Sequence, residues 1–164
     1  MERLIRRMME FYSGDPAQIQ HFIKVHSFAR LIGLSEGLEA DQQMILEIAA
    51  IIHDIGDIGI KPAREKHGSS SGKYQETEGP PLAEKMLKEL GYPEEMIGRV
   101  CYLVGHHHTY KDIDGLDYQI LVEADFLINM YESEMTPDAR QSVFNKIFLT
   151  QTGRQYCQTM FHIE

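Results

Sequence analysis

Thiols are scarce in this 164-residue chain, since Cys101 and Cys157 are its only cysteines and they lack CxxC spacing. Two isolated cysteines argue against a disulfide framework and favour reduced core residues in a cytosolic protein. No apolar run approaches the roughly 20 residues that span a bilayer. The N-terminus also lacks the unbroken apolar stretch of a secretory signal. These absences predict a cytoplasmic protein that does not associate with membranes.

Positive charge is also in short supply, because 16 Lys and Arg face 25 Asp and Glu, for a net charge of −9. General binding to nucleic-acid polymers or anionic membranes draws its energy from basic patches. The composition therefore argues against both kinds of partner. It does not exclude a small phosphorylated substrate, because a bound divalent cation can dominate the local field.

Strand patterns are missing as well: no segment sustains a two-residue alternation with β-branched enrichment, whereas helical periodicity recurs along the chain. The pattern predicts an all-α fold, a compact bundle of about six to seven helices. With 43 % apolar residues, no repeat and no linker, residues 1–164 are expected to form a single domain. The segments with the clearest helical signals are 17–33, 41–55, 80–90, 93–107, 116–132 and 137–160. Between them, 56–79 is rich in Gly, Ser, Lys and Glu and is predicted to be a long loop.

Polar groups interrupt the apolar faces of three predicted helices. His21 lies in the middle of the first face, His53-Asp54 ends a nearly all-apolar helix, and Asp125 interrupts ILVEADFLINM. A buried imidazole needs a polar partner, and a buried carboxylate is costly unless it is protonated, paired or bound to metal. Taken alone, His21 has the plainer reading of a satisfied core histidine, and Asp125 that of a cap or an Arg partner. A single cation would satisfy all four groups.

These residues resemble a known family. H-x3-V-x3-A at His21–Ala29, HDIG at 53–56 and AD at 124–125 are similar to the HD-domain superfamily of metal-dependent phosphohydrolases. The resemblance covers about residues 17–132, with a C-terminal helix at about 137–160 beyond it. It implies an all-α helical bundle in which His21, His53, Asp54 and Asp125 bind one metal. Two His with two Asp suit Mn, Fe, Ni or Zn, with Mg possible, better than Ca.

Some branches of the superfamily bind a second metal through an additional upstream His and a later His-His pair. Here GHHH at 105–108 offers the pair, best matched by His106 and His107, whereas Glu78 stands at the place of the upstream His. A carboxylate can ligate a second metal or act as a base. Glu78 can equally be an N-terminal helix carboxylate favoured by the helix dipole. The number of metals, one or two per chain, stays open.

The mechanism that the resemblance implies is attack of a metal-activated water on a phosphorus ester. Asp54 would then both ligate and orient, while Glu78 or Asp57 takes the proton of the water. In the predicted loop, Ser70, Ser71 and Lys73 offer hydroxyl, N–H and ammonium groups to a phosphate. The same loop has a plainer interpretation as a flexible connector.

The expected function is hydrolysis of a phosphate ester of a nucleotide or another small phosphorylated metabolite. The GYP signature of cyclic-dinucleotide hydrolysis is absent, since TYKDIDGLD follows the histidines. One alternative is a di-iron oxygenase on the same fold. Another is a non-catalytic signalling module, although the intact set of four ligands disfavours it. A homodimer is possible, but no residue indicates one.

Overall fold

The computed structural model describes residues 1–59 and 72–163, which form eight α-helices and one short 3-10 turn, with no strand among them. The all-α prediction is confirmed. The helices are α1 (Glu2–Phe11), α2 (Pro16–Glu36), α3 (Ala40–Ile52), α4 (Gly72–Leu90), α5 (Glu94–Val104), α6 (Leu116–Glu132), α7 (Pro137–Ile147) and α8 (Gln151–Phe161), and the 3-10 turn is Ile55–Gly59.

The predicted count of six to seven helices is too low, partly because the segment 137–160 is not one helix. The chain leaves helical geometry at Phe148, and a new helix starts after Thr150, whose hydroxyl accepts a hydrogen bond from the Gly153 N–H. A threonine at this position satisfies one of the free N–H groups of the first turn. The result is a corner between α7 and α8.

The predicted irregular segment over 56–79 is wrong at both ends. The 3-10 turn occupies its start, and α4 begins at Gly72, eight residues before Pro80. Pro80 and Pro81 lie inside α4, where each removes one intrahelical N–H group. Proline is usual in the first turn of a helix, but here both prolines lie in the interior of a helix that packs against α5 and the 3-10 turn. Residues 60–71, with Ser70 and Ser71, lie outside the described part of the chain.

Helix α2 has clear start and stop signals. The Asp15 side chain accepts a hydrogen bond from the Gln18 N–H at 3.2 Å, Pro16 occupies the first helical position, and Gly37 ends the helix with a φ of +76°. His21 lies on the buried face of this helix together with Val25. His21 therefore faces the interior of the bundle.

Helix α3 is the centre of the bundle, in contact with α1, α2, α5 and α6. Its last five residues, 48–52, are all buried, as expected of a helix that is apolar on all sides. The helix ends at Ile52, inside the protein, so His53 and Asp54 follow in the interior. This placement explains how the two polar residues that follow α3 meet side chains from several neighbouring helices.

Both cysteines are free thiols, with Cys157 buried and Cys101 partly exposed. No described helix combines the length and the hydropathy that crossing a membrane requires.

Candidate metal centre

Four side chains from three places in the bundle converge on one point. His21 Nε2 lies 3.2 Å from Asp125 Oδ1, 3.4 Å from Asp54 Oδ2 and 3.3 Å from His53 Nε2. His53 Nε2 in turn lies 3.4 Å from Asp54 Oδ2 and 3.5 Å from Asp125 Oδ1. Atoms that share one ion at metal–ligand distances of about 2.1 Å are roughly 2.9–3.4 Å apart. The spacing is therefore close to that of a metal-binding group.

The hydrogen bonds of the two imidazoles decide which ring nitrogen is available. His21 Nδ1 lies 2.8 Å from Glu132 Oε2, and His53 Nδ1 lies 3.0 Å from the Ala50 carbonyl. An ionised carboxylate and a carbonyl only accept hydrogen bonds, so each Nδ1 carries the proton and each Nε2 of the neutral ring keeps its lone pair. Two lone pairs then face each other across 3.3 Å beside two carboxylates. Such a group of acceptors is suited to a cation.

The pKa shifts of the metal-free cluster also indicate that its carboxylates are stabilised by nearby positive charge. Burial by itself would lower the pKa of His21 and His53, but Asp125 and Asp54 outweigh it and raise both, that of His53 well above its ordinary value. Burial by itself would raise the pKa of the two carboxyls, but His53 lowers that of Asp54 and His21 lowers that of Asp125. Protons on the imidazoles stabilise the carboxylates as a bound cation would.

A second group of potential ligands adjoins the first and contains Asp54, His107 and His108. His107 is 1 % exposed, its Nδ1 faces the Val104 carbonyl at 2.7 Å, and its Nε2 lies 3.4 Å from Asp54 Oδ1. Within the described chain this Nε2 has no hydrogen-bond partner, although it is buried. Asp54 thus directs one oxygen to each group. An orphaned imidazole nitrogen facing a carboxylate oxygen fits a second cation.

His108 is oriented through Gln75. The Gln75 amide donates through Nε2 to Asp57 Oδ1 at 2.6 Å, so its Oε1 faces His108 Nε2 and accepts a hydrogen bond from it. The lone pair of His108 is therefore on Nδ1, 3.4 Å from the Tyr110 hydroxyl. Burial and the neighbouring His107 lower the pKa of His108 to about 4. His108 is therefore neutral near pH 7, which is the form in which an imidazole can bind a metal.

His106 lies outside both groups. Its Nδ1 contacts the Tyr102 carbonyl at 2.7 Å, and its ring stacks on Tyr102 with 4.2 Å between centroids. The structure therefore brings His107 and His108 to the centre, whereas the sequence pattern favoured His106 and His107.

Glu78 is exposed on α4 and is likewise absent from both groups. The buried face of this helix carries Gln75 and Gly79, and Glu78 points away from it. Sequence reasoning missed Gln75 and Glu76, which line the cleft over the centre. Glu76 Oε1 accepts hydrogen bonds from the His108 N–H at 3.0 Å and from the Thr109 hydroxyl at 2.9 Å. Glu76 thereby joins α4 to the turn that carries the histidines.

The cleft above the centre has a volume of about 900 Å³. His21, Asp54 and Asp125 contribute to its lining, and Lys73 is exposed at its edge. Lys73 is the only lysine or arginine among the lining residues in the described ranges. The other lining residues are Asp15, Ala17, Gln18, Asp57, Gly72, Gln75, Glu76, His108, Thr109, Tyr110, Asn129, Glu132 and Ser133. Carboxylates thus dominate a cleft that is large enough for a small metabolite.

Comparison with known proteins gives one match. The profile of the family described as HD domain matches residues 19–142, which is well over half of the chain. HD domains bind divalent metals, and the mixture of imidazole nitrogen and carboxylate oxygen found here fits such an ion. A search of curated proteins and a search of solved structures gave no significant match.

Proposed function

Because the chain belongs to the HD-domain family, we propose that it is a metal-dependent phosphohydrolase that cleaves a phosphate ester of a nucleotide or another small phosphorylated metabolite. One observation carries the proposal. Beside an open cleft lined by His21, Asp54 and Asp125, the Nε2 atoms of His21, His53 and His107 face the carboxylates of Asp54 and Asp125. This arrangement supports cation binding where a small substrate can reach it.

The residues assigned to the cation form two sets that share Asp54. His21, His53 and Asp125, together with Asp54 at 3.4 Å from both imidazoles, would hold one Mn, Fe, Ni, Zn or Mg ion, and Asp54, His107 and His108 a second. A divalent cation bound there supplies Lewis-acid stabilisation of phosphoryl charge and lowers the pKa of water. Around it, the main-chain carbonyls of Ala50 and Val104 and the Glu132 carboxylate orient the imidazoles.

Asp57 is assigned as the proton acceptor for the attacking water. It follows Asp54 by one turn of 3-10 helix, lines the cleft, and is held by the Gln75 amide at 2.6 Å. A general base must lie within hydrogen-bond reach of the reacting water, directly or through one further water. The exposed position of Glu78 gives no support to its predicted role as base or ligand. Glu76 has the different task of holding the turn at His108 and Thr109.

Three of the side chains that line the cleft carry groups that can bind a phosphorylated substrate. The Lys73 ammonium provides a positive charge for phosphate oxygens, and Thr109 is a further lining residue with a hydroxyl group. Burial raises the pKa of Tyr110 to about 12, so its hydroxyl stays a donor at neutral pH. The contacts predicted for Ser70 and Ser71 concern residues outside the described ranges and remain predictions.

The test begins with protein purified without chelator or metal-affinity resin. Elemental analysis is followed by removal of metal and by assays of phosphate release with nucleoside monophosphates, cyclic nucleotides and dinucleoside phosphates. We expect turnover of one class only after Mn, Fe, Ni, Zn or Mg is restored, and none with Asp54→Ala. Turnover that survives both metal removal and Asp54→Ala would contradict the proposal.

A di-iron oxygenase is the alternative that shares this ligand set, because two adjacent groups joined by one carboxylate also suit two irons. The two reactions differ in their need for oxygen. Phosphate release that proceeds equally well under nitrogen supports hydrolysis. Substrate loss that requires iron and consumes oxygen supports the oxygenase.

A further inference from the structure

The first 18 residues precede the part of the chain that matches the HD-domain family, which begins at residue 19. They nevertheless reach the candidate metal centre at two points. The Tyr12 hydroxyl donates to the main-chain carbonyl of Asp54 at 2.5 Å, and Gln18 Nε2 donates to Asp54 Oδ2 at 3.0 Å. Both contacts are on the carboxylate residue that the two ligand groups share.

Tyr12 fixes the main chain of Asp54. It is 5 % exposed, follows α1 directly, and belongs to the same core cluster as Leu4 and Met8. The Asp54 carbonyl lies just beyond the end of α3 and also accepts the Asp57 N–H at 2.8 Å. Two donors on one carbonyl leave this peptide little freedom to rotate. The packing of α1 on α3 thereby sets the position from which the Asp54 side chain extends.

Gln18 fixes the rotation of the carboxylate itself. Asp54 Oδ2 faces His21 and His53 at 3.4 Å each, while Oδ1 faces His107 at 3.4 Å. A turn about the bond to the carboxylate carbon would displace both oxygens at once. The Gln18 amide holds Oδ2 in place and leaves its second lone pair for a ligand bond. Through Asp54, this hydrogen bond therefore bears on the geometry of both groups.

We infer that Tyr12 and Gln18 are positioning residues for the metal centre, so that the segment before the family match is part of the working site. The inference rests on the proposed metal centre but not on the reaction. Loss of an outer partner of a metal ligand typically costs 10- to 100-fold in metal affinity. We therefore expect removal of the Gln18 donor to weaken metal binding by about 10- to 100-fold.

The test compares Gln18→Met with Gln20→Met in the full chain. Methionine keeps the length and helix propensity of glutamine but has no N–H donor. Gln20 is exposed on the same helix two residues away, and it is the matched control. Chelator-treated proteins are titrated with Co²⁺ while the visible absorption of the bound ion is recorded. No substrate is needed, and the spectrum reports coordination geometry, which a purely structural role would not change.

We expect Gln18→Met to bind Co²⁺ about 10- to 100-fold more weakly with an altered spectrum, and Gln20→Met to match the unmodified protein. Tyr12→Phe, which keeps the ring in the core, is expected to show the same direction of change. Thermal unfolding of the metal-free variants shows whether the fold is kept.

Affinity and spectrum unchanged in Gln18→Met would overturn the inference. Failure of the unmodified protein to take up Co²⁺ would overturn it together with the metal centre. If the variants differ as expected while no phosphate ester is hydrolysed, the positioning role stands and only the phosphohydrolase proposal falls.

Discussion

At the scale of single residues, both the side chain and the main chain of Asp54 make contacts at the candidate metal centre. Its carboxylate is shared between two ligand groups, its carbonyl receives two hydrogen bonds, and its neighbour His53 is completely buried. Asp125 has a narrower task, since its Oδ1 faces the first group and accepts the Asn129 amide at 2.8 Å. Loss of the Asp54 carboxylate should therefore disturb both groups, and loss of the Asp125 carboxylate chiefly the first.

Asp57 and Glu78 form a matched pair of carboxylates for a kinetic prediction. Asp57→Asn keeps the shape and the acceptor for Gln75 but removes the proton acceptor, so kcat is expected to fall by about 10²- to 10⁴-fold. Glu78→Gln lies on the exposed side of α4 and should leave kcat within about twofold, since exposed substitutions away from a site have small effects. Steady-state rates are measured with metal content recorded beside them. A larger loss in Glu78→Gln than in Asp57→Asn would reverse the assignment.

Single-residue prediction from the sequence works where a motif and an apolar face coincide. His21, His53, Asp54 and Asp125 interrupt or end apolar helix faces, and the structure brings these four together. His107 could be predicted from the sequence in the same way, because it continues the buried stripe of Val100 and Val104. His108 could not be predicted in this way, because it lies past the end of α5, where helical periodicity does not indicate which way a side chain points.

At the scale of elements, the corner between α7 and α8 depends on a buried carboxylate of α6. Glu123 is completely buried and accepts hydrogen bonds from the Leu149 N–H at 2.7 Å, the Thr150 N–H at 2.9 Å and the Thr150 hydroxyl. A buried carboxylate is tolerated when several donors satisfy it. Asp125 follows two residues later on the same helix. The corner thus contacts the helix that carries Asp125, a side chain of the candidate metal centre.

Two glycines give a matched test of this corner. A Cβ at Gly153 would lie 1.9 Å from Glu123 Oε2 and 2.7 Å from Thr150 Oγ1, whereas a Cβ at Gly98 in α5 would meet nothing within 4 Å. Gly153→Ala is expected to lower the free energy of unfolding by about 1–3 kcal/mol, the usual cost of overpacking. Gly98→Ala is expected to raise it by about 0.5–1 kcal/mol through helix propensity. Urea unfolding measures both values.

A Gly153→Ala variant as stable as the unmodified protein would show that the Glu123 contacts are adjustable. The Gly98→Ala variant is the control for a general effect of alanine substitution in these helices.

Element boundaries were less predictable than element type. The start of α4 was expected near Pro80 because proline favours the first turn, yet the helix begins at Gly72 and continues through both prolines. Tertiary contact with α5 and the 3-10 turn outweighs local preference there. The site role of Glu78 was predicted because Glu78 stands at the place of the upstream His in the resemblance. Within a helix that starts at Gly72, Gln75 and Gly79 share the inner face instead.

At the scale of the whole molecule, the candidate centre joins the elements that form the bundle. Its side chains come from α2, from the residues after α3, from the turn after α5 and from α6. An ion that binds only the folded protein stabilises it by mass action, by about 2.7 kcal/mol at 100 times Kd. For a domain of this size that corresponds to a rise in Tm of roughly 5–10 °C.

The dependence of this stabilisation on pH follows from the pKa shifts of the metal-free cluster. The pKa of His21 and His53 is raised above 6.5, so their contribution is complete below that pH and is lost as the pH rises through the folded pKa. The pKa of Asp54 and Asp125 is lowered below 3.8, so their contribution is present above that pH and is lost as the pH falls through the folded pKa. The cluster thus stabilises the metal-free protein most between these limits.

As the pH rises through the raised folded pKa of His21 and His53, the imidazoles lose the protons that stabilise the carboxylates, and a divalent cation can take the place of those protons because metal ligands must be deprotonated. The rise in Tm on addition of Mn²⁺ to chelator-treated protein is therefore expected to grow from pH 5.5 to pH 8. Differential scanning calorimetry at fixed Mn²⁺ concentration measures it, with Asp54→Ala as the variant in which the rise should be small throughout. A rise in Tm that shrinks toward pH 8 would mean that protons and metal do not compete for these side chains.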